Sequence, residues 1–354
     1  MRHADTQAFH DISLVCRAGY DIGTLTPLLC RLVRIYIGAA AVGIFWMDGS
    51  GKPVGFHHED SPVGARELFA NEFDRLFCGP DEMNVAFLSN MKSRQRLGVL
   101  LAPPESYYRS NTFNLLVRPS GHHHTLDLRV DLAGRTRIVV LAFRERGNPF
   151  TAQDAVRLQR IEPALRAALA EPHEENWLRQ GDSGHLIVDR DGRTVRFLDP
   201  RGDALLRECS LVGQDIRLEG AIVSAPRFIE DMCHAESAGL KIPTRTLAIP
   251  SGQLELKLQR LTAPASDDVS AFIISLEKQV PMSLSALNLV LGVKLSPTQK
   301  LLVISAARGT NRSAAADALM LSNEAVKKHL ATVYSTLGIC GWEEIPNLLA
   351  RSVV

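Results

Sequence analysis

The sequence predicts a multidomain α+β protein: two antiparallel-sheet modules followed by an all-α domain of four short helices. Three observations carry that expectation. A length of 354 residues exceeds one small domain and points to two or three. Before Lys278, helical spacing twice gives way to apolar strand runs broken by Gly-containing turns. From Leu295 onward the strand signals stop, and short helical segments alternate with capping residues and glycine.

In the first module, Leu25, Leu28, Leu29, Leu32, Val33 and Tyr36 recur at helical steps within a stretch running from about Thr6 to Gly38. The period then changes. Ala41–Met47 reads as a strand, Asp48–Gly51 as a turn and Lys52–His57 as the returning strand. A helix is expected over Arg66–Phe77, then irregular structure beside a pocket from Gly79 to Ser120. Thr125–Val130 and Thr136–Phe143 form a second hairpin around Asp131–Gly134. Thr151 and Asp154 stand in capping-box positions, and Leu158, Ile161, Leu165 and Leu169 mark the buried face of the helix they open. Pro163 is expected to kink it.

The second module starts with a strand at His185–Asp189, a turn at Arg190–Gly192 and a strand at Thr194–Leu198. Helices are expected from Pro200 to Leu206 and from Pro226 to Ala238. Three strands follow, at Thr244–Pro250, Gln253–Leu261 and Val269–Leu276. Lys278–Val293 reads as a connection in which Leu284, Leu287 and Leu291 can form a short helix.

The last segment is the most informative. Ser296 and Gln299 have capping-box spacing with Pro297 at the first helical position, and Gly309 suits a left-handed helix exit. Asn311 can cap a second helix to about Met320. Ser322 can cap a third over residues 323–337, with Val326, Leu330, Val333 and Leu337 along one face and Lys327, Lys328 and His329 opposite. Two short helices joined by a brief turn, the second amphipathic and basic, describe a helix-turn-helix.

Leu295-Ser296-Pro297, Gly309, Leu319, Ser322, Val326-Lys327, His329-Leu330, Tyr334 and Leu337-Gly338-Ile339 resemble the LuxR-type helix-turn-helix without a gap. The order of elements in residues 1–175, with Phe150-Thr151-x-x-Asp154 opening the closing helix, is similar to a GAF domain. Residues 181–278, with Asp189-x-Asp191-Gly192 at the first turn, are similar to a PAS domain. Residues 279–290 are then a linker and residues 291–354 the LuxR-type domain.

The resemblance implies a one-component transcription regulator: a homodimer on double-stranded DNA whose third helices enter the major groove under the control of sensory modules. RNA polymerase and a small-molecule ligand of a sensory module are further candidate partners. It places Lys327 and Lys328 at base-reading and groove-facing positions and Ala331 at the next one along. Lysine suits guanine O6 and N7, whereas Ala331 offers only a methyl contact. Asn311, Arg312 and Ser313 fall where helix-terminal amides favour phosphate. Ser322, Asn323 and His329 complete the expected DNA-facing set. For Lys327 and Lys328 alone, a solvated charged face is the competing interpretation.

The chain departs from the family pattern at three places. Ser313-Ala314-Ala315 replaces a basic-acidic-isoleucine run, forfeiting an acidic partner for Asn311 and some core volume. Ala331 is small. Pro346 lies in the expected fourth helix, from about Trp342 to Ser352, and fits only a first turn or a kink. Dimerisation through the first two modules then carries more weight. A rival reading follows: a ligand- or protein-binding receptor whose terminal domain has little DNA affinity.

Composition narrows the rest. Apolar residues at 45% suffice for ordinary cores, and a net charge of +1 leaves any basic surface local. Within Leu295–Trp342, Lys300, Arg308, Arg312, Lys327 and Lys328 stand against Asp317 and Glu324, a modest excess. The six cysteines are dispersed without a CxxC, which favours reduced, mostly buried thiols in a cytoplasmic protein. The N-terminus lacks a signal-peptide core, and no run reaches the roughly 20 apolar residues that span a bilayer, so no membrane association is expected.

His122-His123-His124 raises a metal reading, but three consecutive histidines cannot share one strand face, and an exposed turn is expected. Phe45, Trp46, Tyr107 and Tyr108 are candidates for a pocket lining or for ordinary core. Asp189 and Asp191 flank a tight turn and fit turn chemistry better than a carboxylate pair. No nucleophile elbow, Walker loop, zinc-protease helix or dinucleotide glycine pattern occurs, so neither enzymatic activity, a cofactor nor a metal is expected.

Overall fold

The computed structural model describes residues 3–91, 95–169, 177–179, 181, 183–240, 244–262 and 269–351. The chain is mixed α+β with two antiparallel sheets. Met1–Glu171 with Asp182–Glu277 forms one compact unit, and Pro172–Gly181 with Lys278–Val354 forms another. Among the described residues no helix is long and apolar enough to cross a membrane.

The first unit opens with α1 (His3–Cys16) and α2 (Ile22–Ile37), then β1 (Ala41–Met47) and β2 (Pro53–His58). Three short helices follow: α3 (Val63–Asn71), α4 (Phe73–Leu76) and α5 (Val85–Asn90). After 3₁₀ and π-helical turns between Tyr107 and Ser120 come β3 (His124–Leu132) and β4 (Arg135–Arg144). The sheet order is β2-β1-β4-β3. All seven positions of β1 are buried, which is why its sequence is a continuous apolar run rather than an alternation. Leu25, Leu29 and Val33 of α2 are fully enclosed in the core. An aromatic cluster of Phe45, Phe56, Phe69, Phe73, Phe77, Tyr107 and Phe113 forms a second part of the core.

The closing segment is two helices, α6 (Ala152–Gln159) and α7 (Glu162–Ala167). The capping box of Thr151 and Asp154 is formed. Pro163 does not kink one helix; it sits in the first turn of α7, where a missing amide hydrogen leaves no acceptor wanting. Leu158, Ile161 and Leu165 are buried, and Leu169 only partly.

The second sheet takes β5 (Trp177–Arg179), β6 (Gly184–Asp189) and β7 (Val195–Leu198), then α8 (Pro200–Glu208) and α9 (Arg227–Ser237). It is completed by β8 (Thr244–Ile249), β9 (Gly252–Thr262) and β10 (Val269–Pro281). The order is β7-β6-β10-β9-β8, with β5 paired to β10. Asp189 Oδ1 accepts from the amides of Arg193 and Thr194, and Asp191 Oδ1 from Arg193, so both carboxylates serve the turn.

Within the first unit the two sheets are stitched together. Phe56 N donates to Ser210 O at 3.0 Å and Val212 N to Val54 O at 2.9 Å, so residues 210–213 cover the outer edge of β2. An uncovered edge would be a pairing hazard. Thr24 Oγ1 adds a bond to Gly252 O at 3.0 Å.

β10 continues past the expected strand end at Leu276, and α10 (Met282–Gly292) follows it directly. The segment expected to act as a linker is therefore regular backbone. The chain ends with α11 (Pro297–Ala307), α12 (Arg312–Ala318), α13 (Asn323–Leu337) and α14 (Glu344–Arg351). All six cysteines are free thiols, with Cys16, Cys30, Cys209 and Cys233 buried and Cys78 and Cys340 exposed.

Candidate nucleic-acid interface

The C-terminal helices are built from their caps. Ser296 and Gln299 form a reciprocal capping box, with Ser296 N donating to Gln299 Oε1 at 2.8 Å. Gly309 takes φ +75° after α11, and Asn311 Oδ1 accepts from Ala314 N at 2.8 Å to start α12. Ser322 Oγ accepts from Ala325 N at 3.3 Å to start α13, which Gly338 ends at φ +68°. Between α12 and α13 the chain turns through Met320, a non-glycine residue held at φ +53° and 93% exposed. Such a conformation costs an L-residue roughly 1–2 kcal/mol.

α11 is the central support: it packs against α10, α12, α13 and α14. Its buried face includes Lys300, so that residue is not surface charge, contrary to the count of five available cations. Ala315 and Ala316 are buried on α12, where small side chains let the helices approach. Trp342 Nε1 donates to Thr310 O at 3.1 Å, tying the approach to α14 to the turn after α11. Pro346 is the third residue of α14 and so lies in its first turn.

α13 separates its two faces cleanly. Val326, Leu330 and Val333 are buried, whereas Lys327, Lys328 and Ala331 are exposed. Leu337, expected in the core, is half-buried. Asn311, Arg312, Ser313, Ser322 and Asn323 are exposed. His329 is half-buried and belongs to the flank rather than the outward face, because three residues after Val326 and one before Leu330 the helical rotation carries it back toward the buried stripe. Between Leu295 and Trp342 the exposed charges are Arg312, Lys327 and Lys328 against Asp317 and Glu324, a thinner excess than the sequence count. Glu324 lies in the first turn of α13, where the helix dipole favours an acid.

No protein-family model matches the chain, and no curated protein matches it.

The first unit holds a second concentration of chemistry. A cavity of about 50 Å³ is lined by Phe45, Phe56, His58, Arg66, Tyr107 and Phe143, among others. Phe45 and Tyr107 thus do face a pocket. Trp46 lies over Gly55 and lines a separate, open cleft beside Pro53, Val54 and Leu211, whereas Tyr108 stacks on His123 at 5.4 Å and does not line the cavity. The irregular stretch before β3 supplies part of the wall through Asn84, Leu100, Thr112 and Val117.

The three histidines are not an exposed turn. His122 is buried with Nε2 3.0 Å from Asp60 Oδ1, His123 is half-buried against Tyr108, and His124 begins β3. Burial pushes the Asp60 carboxyl up, but the two imidazoles that face it, His122 hydrogen-bonded and His58 in close contact, outweigh it and leave the group below the usual carboxylate range. Sequence spacing could not reveal this cluster, since its members are joined only by the fold.

Proposed function

We propose that the chain is a one-component transcription regulator that reads the DNA major groove with α13. The observation that carries the reading is the outward set Lys327, Lys328 and Ala331, opposite the buried Val326, Leu330 and Val333, immediately after a tight turn from α12. A groove about 12 Å wide admits one helix, and residues near its N-terminus reach base edges while flanking groups hold phosphate. Arg312 and Asn311 are exposed and available for the second task.

In this reading the domain is of the LuxR type, and the first unit comprises GAF-like and PAS-like sensory modules. The protein acts as a homodimer on an imperfect palindrome, with half-sites about one helical turn apart. A ligand or partner of the first unit shifts the dimer between DNA-competent and incompetent arrangements. Three exposed cations against two exposed acids favour weaker binding than the sequence count, which keeps the receptor with little DNA affinity as the second reading.

Genomic selection followed by gel shift tests the proposal. The parent is expected to enrich a discrete set of fragments, and Lys327→Ala and Lys328→Ala to lose them at the same salt. Equal retention by both variants overturns the groove assignment. A folded protein that enriches nothing favours the second reading.

A further inference from the structure

Away from the C-terminal helices, two imidazoles and one carboxylate converge. His58 ends β2, Asp60 follows it by two residues, and His122 lies two residues before β3. His122 Nε2 stands 3.0 Å and His58 Nδ1 3.3 Å from the same oxygen, Asp60 Oδ1. One ligating atom from each of the three lies within 4.8 Å of the others. Metal bonds of about 2.0–2.1 Å place neighbouring ligand atoms of a tetrahedral ion about 3.3 Å apart. The two nitrogen-to-oxygen separations suit that spacing, and a small inward turn of one imidazole brings the two nitrogens to it.

A hydrogen-bonded His–Asp–His network has comparable distances, so the decisive observation lies elsewhere. His58 Nδ1 is buried and has no hydrogen-bond partner, although it faces Asp60 at 3.3 Å. The His58 side chain is only 10% exposed, so water does not readily meet the need. A buried imidazole nitrogen beside a carboxylate oxygen but not hydrogen-bonded to it is an arrangement that a shared cation would satisfy. Both rings are held in place beforehand: Phe143 stacks on His122 at 5.2 Å and lies 4.8 Å from His58. Asp60, at 44% side-chain exposure, offers an entry path from solvent.

His58 also lines the apolar cavity, so a ligated ion would have one side toward it. About 50 Å³ leaves room for water or another small exogenous ligand and not for a drug-sized one. Arg66 lines the same cavity and has no side-chain hydrogen bond or ion pair among the described residues. Its charge suits an anionic ligand completing the coordination.

We propose that His58, Asp60 and His122 bind one divalent first-row transition-metal ion, with a coordination position left open toward the cavity. Two nitrogens and one carboxylate suit Fe²⁺, Co²⁺ or Zn²⁺ rather than the all-oxygen preference of Mg²⁺ or Ca²⁺. The inference stands independently of DNA binding.

Full-length protein, stripped with chelator and titrated with Co²⁺, tests it through visible ligand-field bands and bound metal per chain. One equivalent is expected, displaced by Zn²⁺ and unaffected by excess Mg²⁺. Asp60→Asn, at a part-exposed position, should weaken binding by at least ~10-fold with an unchanged circular dichroism spectrum. His58→Gln should do the same and alter the bands. Absence of stoichiometric Co²⁺ in the parent overturns the proposal. So does unchanged affinity in both variants, which would mark adventitious binding to other histidines.

Discussion

Arg144 Nη1 lies 3.1 Å from Asp154 Oδ2, joining the end of β4 to the first turn of α6. The same guanidinium donates to the carbonyls of Ile37 and Gly38 and sits 4.1 Å above the Phe150 ring. Asp154 in turn accepts from Thr151 N at 2.8 Å as the returning half of the capping box. One carboxylate thereby starts a helix and neutralises a cation that gathers the ends of α2, β4 and α6.

Removing the arginine leaves that carboxylate and two helix-end carbonyls without their donor. Arg144→Met is expected to destabilise the first unit by about 3 kcal/mol. Urea unfolding checks this, and a loss below about 1 kcal/mol would show that solvent compensates.

Asp154 also sets an acid limb. Burial pushes its carboxyl up, but bonds from Thr151 and Arg144 pull it further down, so its folded value lies below the usual carboxylate range. A depressed folded value means stability fully present above the unfolded value of about 3.9 and lost as pH falls below it. The parent should lose stability more steeply below about pH 4 than Asp154→Asn, followed by circular dichroism. Parallel acid limbs contradict the linkage.

The turn before α13 carries strain that can be relieved. Met320 is at φ +53° and 93% exposed, so a glycine there forfeits almost no packing. The left-handed cost outweighs the entropy that glycine adds to the unfolded chain, and Met320→Gly is expected to stabilise by about 0.5–1 kcal/mol. A fall in the urea midpoint would show that the Met320 side chain is held by contacts instead.

Local signals were legible where one residue type has one reason to be present. β1 was readable because burial on both faces demands an unbroken apolar run, and the caps at Thr151, Ser296, Asn311 and Ser322 because an oxygen must meet a free amide. Lys300 was readable in principle: Val303, Ile304 and Ala307 follow it at helical steps, which places it on the buried face of α11. The burial of His122 was not, since Asp60 and His58 at the end of β2 meet it only when the segment leading into β3 folds back past the ends of β1 and β4. Nor was the covering of the β2 edge by residues 210–213, which no periodicity encodes.

Pro346 provides a check on where α14 begins. Amides of a first turn have no acceptor within the helix, so proline at its third residue removes nothing. Pro346→Ala should lower stability by no more than about 1 kcal/mol, through the freer unfolded chain. A gain approaching 3 kcal/mol would place the proline inside a longer, interrupted helix.

The proposed DNA interface predicts that its cations differ in kind. Lys327 and Lys328 project from the exposed face of α13, while Arg312 begins α12 beside the Asn311 cap. A base-reading lysine discriminates between sequences, so Lys327→Ala should narrow the gap between a selected fragment and random DNA by about 1–3 kcal/mol. A phosphate contact does not discriminate. Arg312→Ala should weaken both DNAs alike and reduce the salt slope of binding by about one, since one fewer counterion is released. Fluorescence anisotropy across a salt series separates the two effects. If Arg312→Ala alters sequence preference while Lys327→Ala alters only the slope, α12 and α13 have exchanged roles and the docking geometry must be rebuilt.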